Sequence, residues 1–339
     1  MAQQEEKQAR VVVFVSSSRN HSRHRRAIRQ TWMRFAHPPS EDAAESTALP
    51  AEDRARLTVR FVVSRKGAAT DQNDDADAAL DAALDAEHAQ HNDLFFASTP
   101  EGYDRLWAKA LEFLRVQLQQ DSNQKSIAYF FHADDDSYVR LDLLVREVLF
   151  GPAASPPAPA PRSRFYWGYA WNAPQQNPGA TASPIRDPRN KSHMPEGDYP
   201  FESYPPFCSG CGFALSRDLA ASLVEGLASG RVRGQYRVLD PPFGVFLCGP
   251  PPPEGRGLFG SGAQVTPVHD GRVRPYRALP LFDARTIVQH YLRPEEMGPF
   301  HTRVLATLEG KEEEEEEEEG GGAAAGLYNQ LVGMGLLRR

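Results

Sequence analysis

The first regular pattern in the chain is VVVFV at 11–15, a short β-branched apolar run followed by three serines. Such a run predicts a buried strand. Residues 23–35 are basic and helix-like. At 57–63 the period changes to two. Leu57, Val59, Phe61 and Val63 alternate with Thr58 and Arg60, which predicts a second strand. Residues 71–91 are rich in Ala and Asp, with Leu80 and Leu84 four apart, and predict an amphipathic helix. A short strand follows at 93–96. Residues 103–118 predict a stronger helix, with Leu106, Ala110, Phe113 and Leu114 near one face. An apolar strand at 127–132 then runs into Asp134, Asp135 and Asp136.

Strands alternating with helices predict an α/β domain with a mainly parallel sheet. In such sheets ligands bind outside the carboxyl ends of the strands. The three aspartates occupy that kind of place. Beyond them, 151–162 is a Pro/Ala-rich loop insert, and 165–211 reads as irregular structure with short strands. Ser216 is a good N-cap for a helix. Residues 249–262 form a Pro/Gly-rich loop, and 285–290 predict a last strand. The expected organisation is a tail at 1–9, one domain over 10–308, a disordered acidic and Gly/Ala segment at 309–326, and a tail at 327–339.

Charge modifies this picture little. The sum is 38 basic minus 45 acidic, or -7, and eight of the acids are the run 312–319. Without that run the sum is 38 minus 37, or +1, so the folded part is near neutral and a general nucleic-acid surface is not expected. No stretch approaches the roughly 18 apolar residues of a membrane span. The first residues have no apolar core of a signal peptide. Three cysteines allow at most one bridge.

The aspartate triplet is the sharpest chemical signal. Adjacent carboxylates raise one another's pKa unless a cation neutralises them. Hard oxygen ligands suit Mg²⁺ or Mn²⁺, which can hold a diphosphate. Alternation points Asp134 and Asp136 to one side and Asp135 to the other. A solvated acidic turn is the plain alternative. An EF-hand loop fits badly, because its glycine and glutamate places hold Val139 and Val145. A phosphotransferase of the haloacid-dehalogenase type would want Thr or Val where Tyr138 stands. Cys208 and Cys211 have CxxC spacing but only Cys248 beside them, too few for a zinc site. A bridge from one of them to Cys248 is expected before a redox role. Asn20 and Asn190 begin N-glycosylation triplets. His290, at a strand end, is a metal ligand or an ordinary histidine.

Seven segments in order resemble glycosyltransferase family 31, the β-1,3-galactosyltransferase and β-1,3-N-acetylglucosaminyltransferase family. RRAIRQTW (25–32) is similar to the family's R-x-A-I-R-x-T-W, and FVVSR (61–65) to the strand after it. Glu87 with NDL (92–94) resembles E…(G)DI/L. EGYDRLWAK (101–109) is similar to D-x-Y-x-N-L-T-x-K, with Glu for Asp and Arg105 for Asn. DDDSYV (134–139) matches D-D-D-x-F/Y-V. YPPFCSGCGFALS (204–216) is the most specific match, and IVQH through PEEM (287–297) resembles the closing segment. The likeness covers about residues 10 to 300.

The resemblance implies a single-domain GT-A fold, a UDP-sugar donor, Mn²⁺ (or Mg²⁺) and inversion at the anomeric carbon. Carried over residue by residue, it implies a metal held by Asp134, Asp136 and His290. Arg25, Arg29, Lys109, Asp134 and Asp135 then bind the nucleotide-sugar, and Asp240 is the catalytic base. Trp167, Tyr204, Gly210 and Gly212 are candidate sugar contacts, with Tyr169 and Trp171 as further stacking residues. For Arg25, Arg29 and Lys109, structural salt bridges are the competing expectation. One departure stands out. The family has two acids where this chain has Leu239 and Asp240, followed by Pro241 and Pro242, with Gly244 kept. The implied partners are UDP-galactose or UDP-N-acetylglucosamine and a glycan acceptor on protein or lipid. The implied place is the Golgi lumen, behind an anchor not visible in this chain. A catalytically inactive relative that binds a glycan or a partner is the rival from another class, and a metal-dependent phosphohydrolase the third.

Overall fold

The computed structural model describes residues 8–37, 49–65, 74–151, 160–234, 236–249, 265–278 and 280–310. The loop insert at 152–159, most of the 249–262 loop, residues 71–73 of the expected third-region helix, and the segments from 311 onward lie outside the described residues. Strand β1 (Arg10–Ser16) is followed by helix α1 (Ser22–Gln30), α2 (Ala51–Ala55), β2 (Leu57–Ser64), α3 (Asp74–His91) and β3 (Leu94–Ala97). Then come α4 (Leu106–Gln120), β4 (Ile127–Asp134), β5 (Tyr138–Val139), α5 (Leu141–Leu143) and β6 (Tyr166–Trp171). The chain continues through β7 (Phe207–Ser216), α6 (Arg217–Ala228), α7 (Asp240–Leu247), β8 (Val268–His269), β9 (Val273–Arg274), β10 (Val288–Gln289) and α8 (Pro294–Leu308).

Seven strands form the main sheet in the order β3-β2-β1-β4-β7-β6-β8, and β5, β10 and β9 form a second, small one. Strands β3, β2, β1 and β4 run parallel, while β7 is antiparallel to both β4 and β6. This is a GT-A-like α/β fold with a mostly parallel sheet and helices on both faces. The β1 run shows why. Val11, Val13 and Val15 join one apolar cluster, and Val12 and Phe14 join the other. A strand covered on both sides needs apolar residues at every position. Among the described residues, no helix is long and apolar enough to cross a membrane.

Three elements differ from the sequence expectation. Residues 207–216 form one ten-residue strand, buried throughout, where irregular structure with short strands was expected as far as 211. Its middle, Cys-Ser-Gly-Cys-Gly at 208–212, has only small residues and carries no alternation to read. Residues 240–247 form a helix that starts on Asp240 with Pro241 and Pro242 in its first turn. Proline is tolerated there because first-turn N–H groups have no intrahelical acceptor. Finally, Cys208, Cys211 and Cys248 are free thiols, so the expected bridge is corrected. Strand β7 turns Cys208 to one apolar cluster and Cys211 to the other, and burial pushes up the pKa of all three.

Gly244 lets α7 pack on the start of β7. A Cβ there would lie 2.5 Å from both the Phe207 Cβ and the Pro206 carbonyl oxygen. Both are fixed atoms, so the helix must move. Gly244→Ala is expected to lower stability by about 1–3 kcal/mol, read as a lower urea midpoint at unchanged slope. A midpoint equal to wild type would show that α7 shifts freely.

Candidate active site

A cavity of about 920 Å³ opens where the carboxyl ends of β1 and β4 meet the β7 start and the residues after β10. Its size is at the upper end for small-molecule sites. Strand β4 ends on Asp134, and the β5–β10 ladder pairs Tyr138 with Gln289. That pairing brings His290 against the aspartates. Its Nε2 lies 3.0 Å from Asp136 Oδ1 and 3.6 Å from Asp134 Oδ2. Ligand atoms of the three residues all fall within 4.8 Å of one another.

The donor set fits a divalent cation. His290 Nδ1 is 3.2 Å from the Pro275 carbonyl, which can only accept, so Nδ1 carries the hydrogen. In the neutral ring Nε2 then presents its lone pair toward the two carboxylates, the arrangement found in metal-ligating histidines. Tyr291 stacks on the ring at 3.8 Å between centroids and takes a left-handed backbone, φ 59°. Without a cation the carboxylates are electrostatically frustrated. Burial, and then Asp136, Asp135 and Asp240, push Asp134 up to about 8 against the pull of His290. For Asp136 burial is the largest influence and acts upward, but the hydrogen bond and charge of His290, with its own backbone N–H and the charge of His24, together outweigh it and the pKa falls. Burial acts downward on His290, and Asp136 and Asp134 together outweigh it, so its pKa rises.

Asp135 points the other way, as alternation requires. It accepts a 2.7 Å hydrogen bond from Ser17 Oγ and meets His21 Nδ1 at 3.0 Å. That contact raises the His21 pKa against the opposing effect of burial. Lys109 is 2% exposed and lines the cavity, with Nζ 3.3 Å from the Ser17 carbonyl and 3.8 Å from Glu101. Burial lowers its pKa against the attraction of Glu101 and Asp135.

Asp240 also lines the cavity, and its Oδ2 accepts the Gly210 N–H at 3.0 Å. Burial raises its pKa. Leu239 is also in the lining, and its side chain packs beside Gly210 within the apolar cluster under α7. The acid that the altered segment presents to the cavity is therefore Asp240, with Leu239 as apolar wall.

Other candidates divide. Tyr204 and Gly210 are in the lining. Trp167 is not: it is 3% exposed in the core, and Trp171, four residues on and packed against the other apolar cluster, reaches the cavity instead. Gly212 is not in the lining either. A Cβ there would lie 2.8 Å from Val288 Cγ2, so its bareness allows β10 to approach β7.

Arg25 and Arg29 are also corrected: neither lines the cavity. Arg25 is fully buried, with Nε and Nη2 on the Glu87 carboxylate at 2.8 and 2.7 Å. Arg29 binds Asp93 at 2.7 and 2.8 Å and also Glu87 at 2.7 Å. A buried guanidinium requires such partners. Arg25 still reaches the site indirectly, since its Nη1 donates to Ser17 Oγ, which holds Asp135. The lining also includes Ser16, His21, Glu101, Tyr276 and Tyr291. Ser16 belongs to a polar run at a strand's carboxyl end, and Glu101 and Tyr291 fall in segments that carry the family resemblance, but the sequence reading assigns none of the five a site role.

The sheet is GT-A-like, and two carboxylates and an imidazole at its strand ends form a candidate divalent-cation site. Residues 23–232, more than half of the chain, match the family described as Galactosyltransferase, and the chain belongs to that family of glycosyltransferases. It is 27% identical over 210 residues to beta-1,3-galactosyltransferase 1 of Mus musculus, 62% of this chain and 52% of the relative. It is 24% identical over 216 residues to beta-1,3-galactosyltransferase 5 of Pan paniscus, 63% and 57%. It is 26% identical over 221 residues to beta-1,3-galactosyltransferase 2 of Homo sapiens, 65% and 43%. The chain thus spans about half the length of the curated relatives it matches.

Proposed function

We propose that this protein is an inverting hexosyltransferase. It moves galactose, or secondarily N-acetylglucosamine, from a UDP-sugar to a glycan hydroxyl in β-1,3 linkage. The carrying observation is that one cavity holds both the Asp134–Asp136–His290 triad and the Asp240 carboxylate. The names of the relatives support the galactosyl donor and the linkage. The glycan acceptor, on protein or lipid, and a Golgi-lumenal setting follow from the same resemblance.

The division of labour follows from the geometry. Asp134, Asp136 and His290 would hold Mn²⁺ or Mg²⁺. When bound, the cation supplies positive charge that makes a nucleoside diphosphate a better leaving group. Lys109 adds a buried cation to the same cavity. Asp240 takes the proton of the acceptor hydroxyl as its oxygen bonds to the anomeric carbon, and the bond to UDP breaks on the opposite face. A carboxylate with a raised pKa is a stronger base for that step. Ser17 and His21 fix Asp135, and Arg25 fixes Ser17.

The test is UDP release from a panel of UDP-sugars with Mn²⁺ and a glycan acceptor panel. It is run with and without chelator, beside Asp136→Ala. Chelator-sensitive transfer of one hexose, abolished in Asp136→Ala, is the expected result. Tight UDP binding without transfer to any acceptor would favour a binding protein. Phosphate release from simple esters, with UDP-sugars ignored, would favour a phosphohydrolase.

A further inference from the structure

Strand β7 is interrupted where it meets the cavity. Gly168 of β6 pairs with Phe213 and Ala170 with Cys208, so residues 209–212 stand opposite the single Tyr169. On the other side the β4 ladder ends at the pair Ala133 and Gly212. Gly210 therefore lies in a bulge outside the register of both neighbours. Its backbone groups need partners from elsewhere. The N–H goes to Asp240 Oδ2 at 3.0 Å. The carbonyl meets His132 Nδ1 at 2.8 Å.

His132 is fully buried on β4, with its ring between Phe14 and Phe213, each at 5.0 Å between centroids. Its Nε2 lies 2.9 Å from Ser16 Oγ. The Gly210 carbonyl can only accept, so Nδ1 carries a hydrogen. Both ring nitrogens face uncharged partners in a fully buried setting, which favours the neutral ring. A neutral ring with hydrogen on Nδ1 has a bare Nε2, which accepts from Ser16 Oγ–H. All three groups are then satisfied in one hydrogen-bond direction, Ser16 to His132 to the Gly210 carbonyl. A second side chain shares the task, since Ser137 Oγ donates to the next carbonyl, Cys211, at 2.9 Å.

We propose that His132 is a positioning residue that pins the β7 bulge, so that the Gly210 N–H holds the Asp240 carboxylate toward the cavity. The residue touches no substrate; it acts through one peptide unit. The three bonds of this relay are 2.8 to 3.0 Å long, and Gly210 stands outside the paired register of both neighbouring strands. The kinetic part of the inference rests on Asp240 being the base. The structural part does not.

The test has two arms. Selective ¹⁵N-histidine NMR on the full chain reads the tautomer directly. Hydrogen on Nδ1 with bare Nε2 at neutral pH is expected for His132, and hydrogen on Nε2, or an imidazolium, overturns the proposal. This arm needs neither a variant nor turnover. The second arm compares His132→Asn, whose amide nitrogen stands near Nδ1, with His132→Gln, whose amide stands near Nε2 and reaches Ser16. His132→Asn should keep kcat close to wild type. His132→Gln should lower kcat about 100-fold with donor KM little changed. Equal kcat in the two variants, or a change confined to donor KM, overturns the positioning role. If wild type shows no transfer at all, the proposed activity fails, and the NMR arm still decides the contact.

Discussion

Asp240→Asn is expected to lower kcat by about 10²- to 10⁴-fold, the span of general-base catalysis, with UDP and metal binding retained. The amide keeps an oxygen for the Gly210 N–H, so the bulge and the start of α7 stay in place. What is lost is the proton acceptor in the cavity. The measurement is steady-state transfer from the preferred donor, paired with UDP titration in Mn²⁺. Undiminished turnover would remove Asp240 from the chemistry. Leu239→Asp is the informative companion, since Leu239 occupies the first of the two acidic places of the family and also lines the cavity. Restored activity in the double variant would assign the base to that place.

Glu87→Ala is expected to lower stability by about 3–5 kcal/mol, because it strips a fully buried guanidinium of its carboxylate. Arg25 has no exposure, and Glu87 also serves Arg29. Arg25 has no access to water where it stands, whereas Arg29 is 12% exposed and keeps Asp93. Urea unfolding followed by far-UV circular dichroism measures the loss. A loss below ~1 kcal/mol would put the pair in the range of surface bridges. The pH dependence has a definite sign. Burial acts to raise the Glu87 pKa, but the hydrogen bonds and charge of Arg25 and then Arg29 outweigh it and hold it below the ordinary 4.5. The stabilisation is therefore complete above pH 4.5 and fades as pH falls through the folded-state value. The gap between wild type and Glu87→Ala should narrow below pH 4.5. Because Arg25 also donates to Ser17, and Ser17 to Asp135, weaker UDP binding should accompany the lost stability.

The sequence by itself determined the elements whose burial is periodic and the acids that end a strand. Strands β1 and β4 were legible because both faces of a parallel sheet demand apolar runs, and β2 because Leu57, Val59, Phe61 and Val63 alternate with Thr58 and Arg60. Helices α3 and α4 were legible from their spacing. The Asp134–Asp136 triplet was legible because like charges at a strand end need a counter-ion. Strand β7 was not legible as one strand, since its middle, 208–212, is a run of small residues with neither alternation nor β-branched bias. Helix α7 was hidden by its two prolines. Only the tertiary structure decided the rest. His290 stands 154 positions from Asp136, and it is the β5–β10 ladder that brings them together. Arg25 and Arg29 sit in a family motif, yet their buried carboxylate partners, not a ligand, claim them. Trp167 and Trp171 look alike as aromatic residues, and strand β6 buries one and turns the other to the cavity. Side-chain type announces what chemistry is available; which groups meet depends on register and burial, which arise only when distant segments pack.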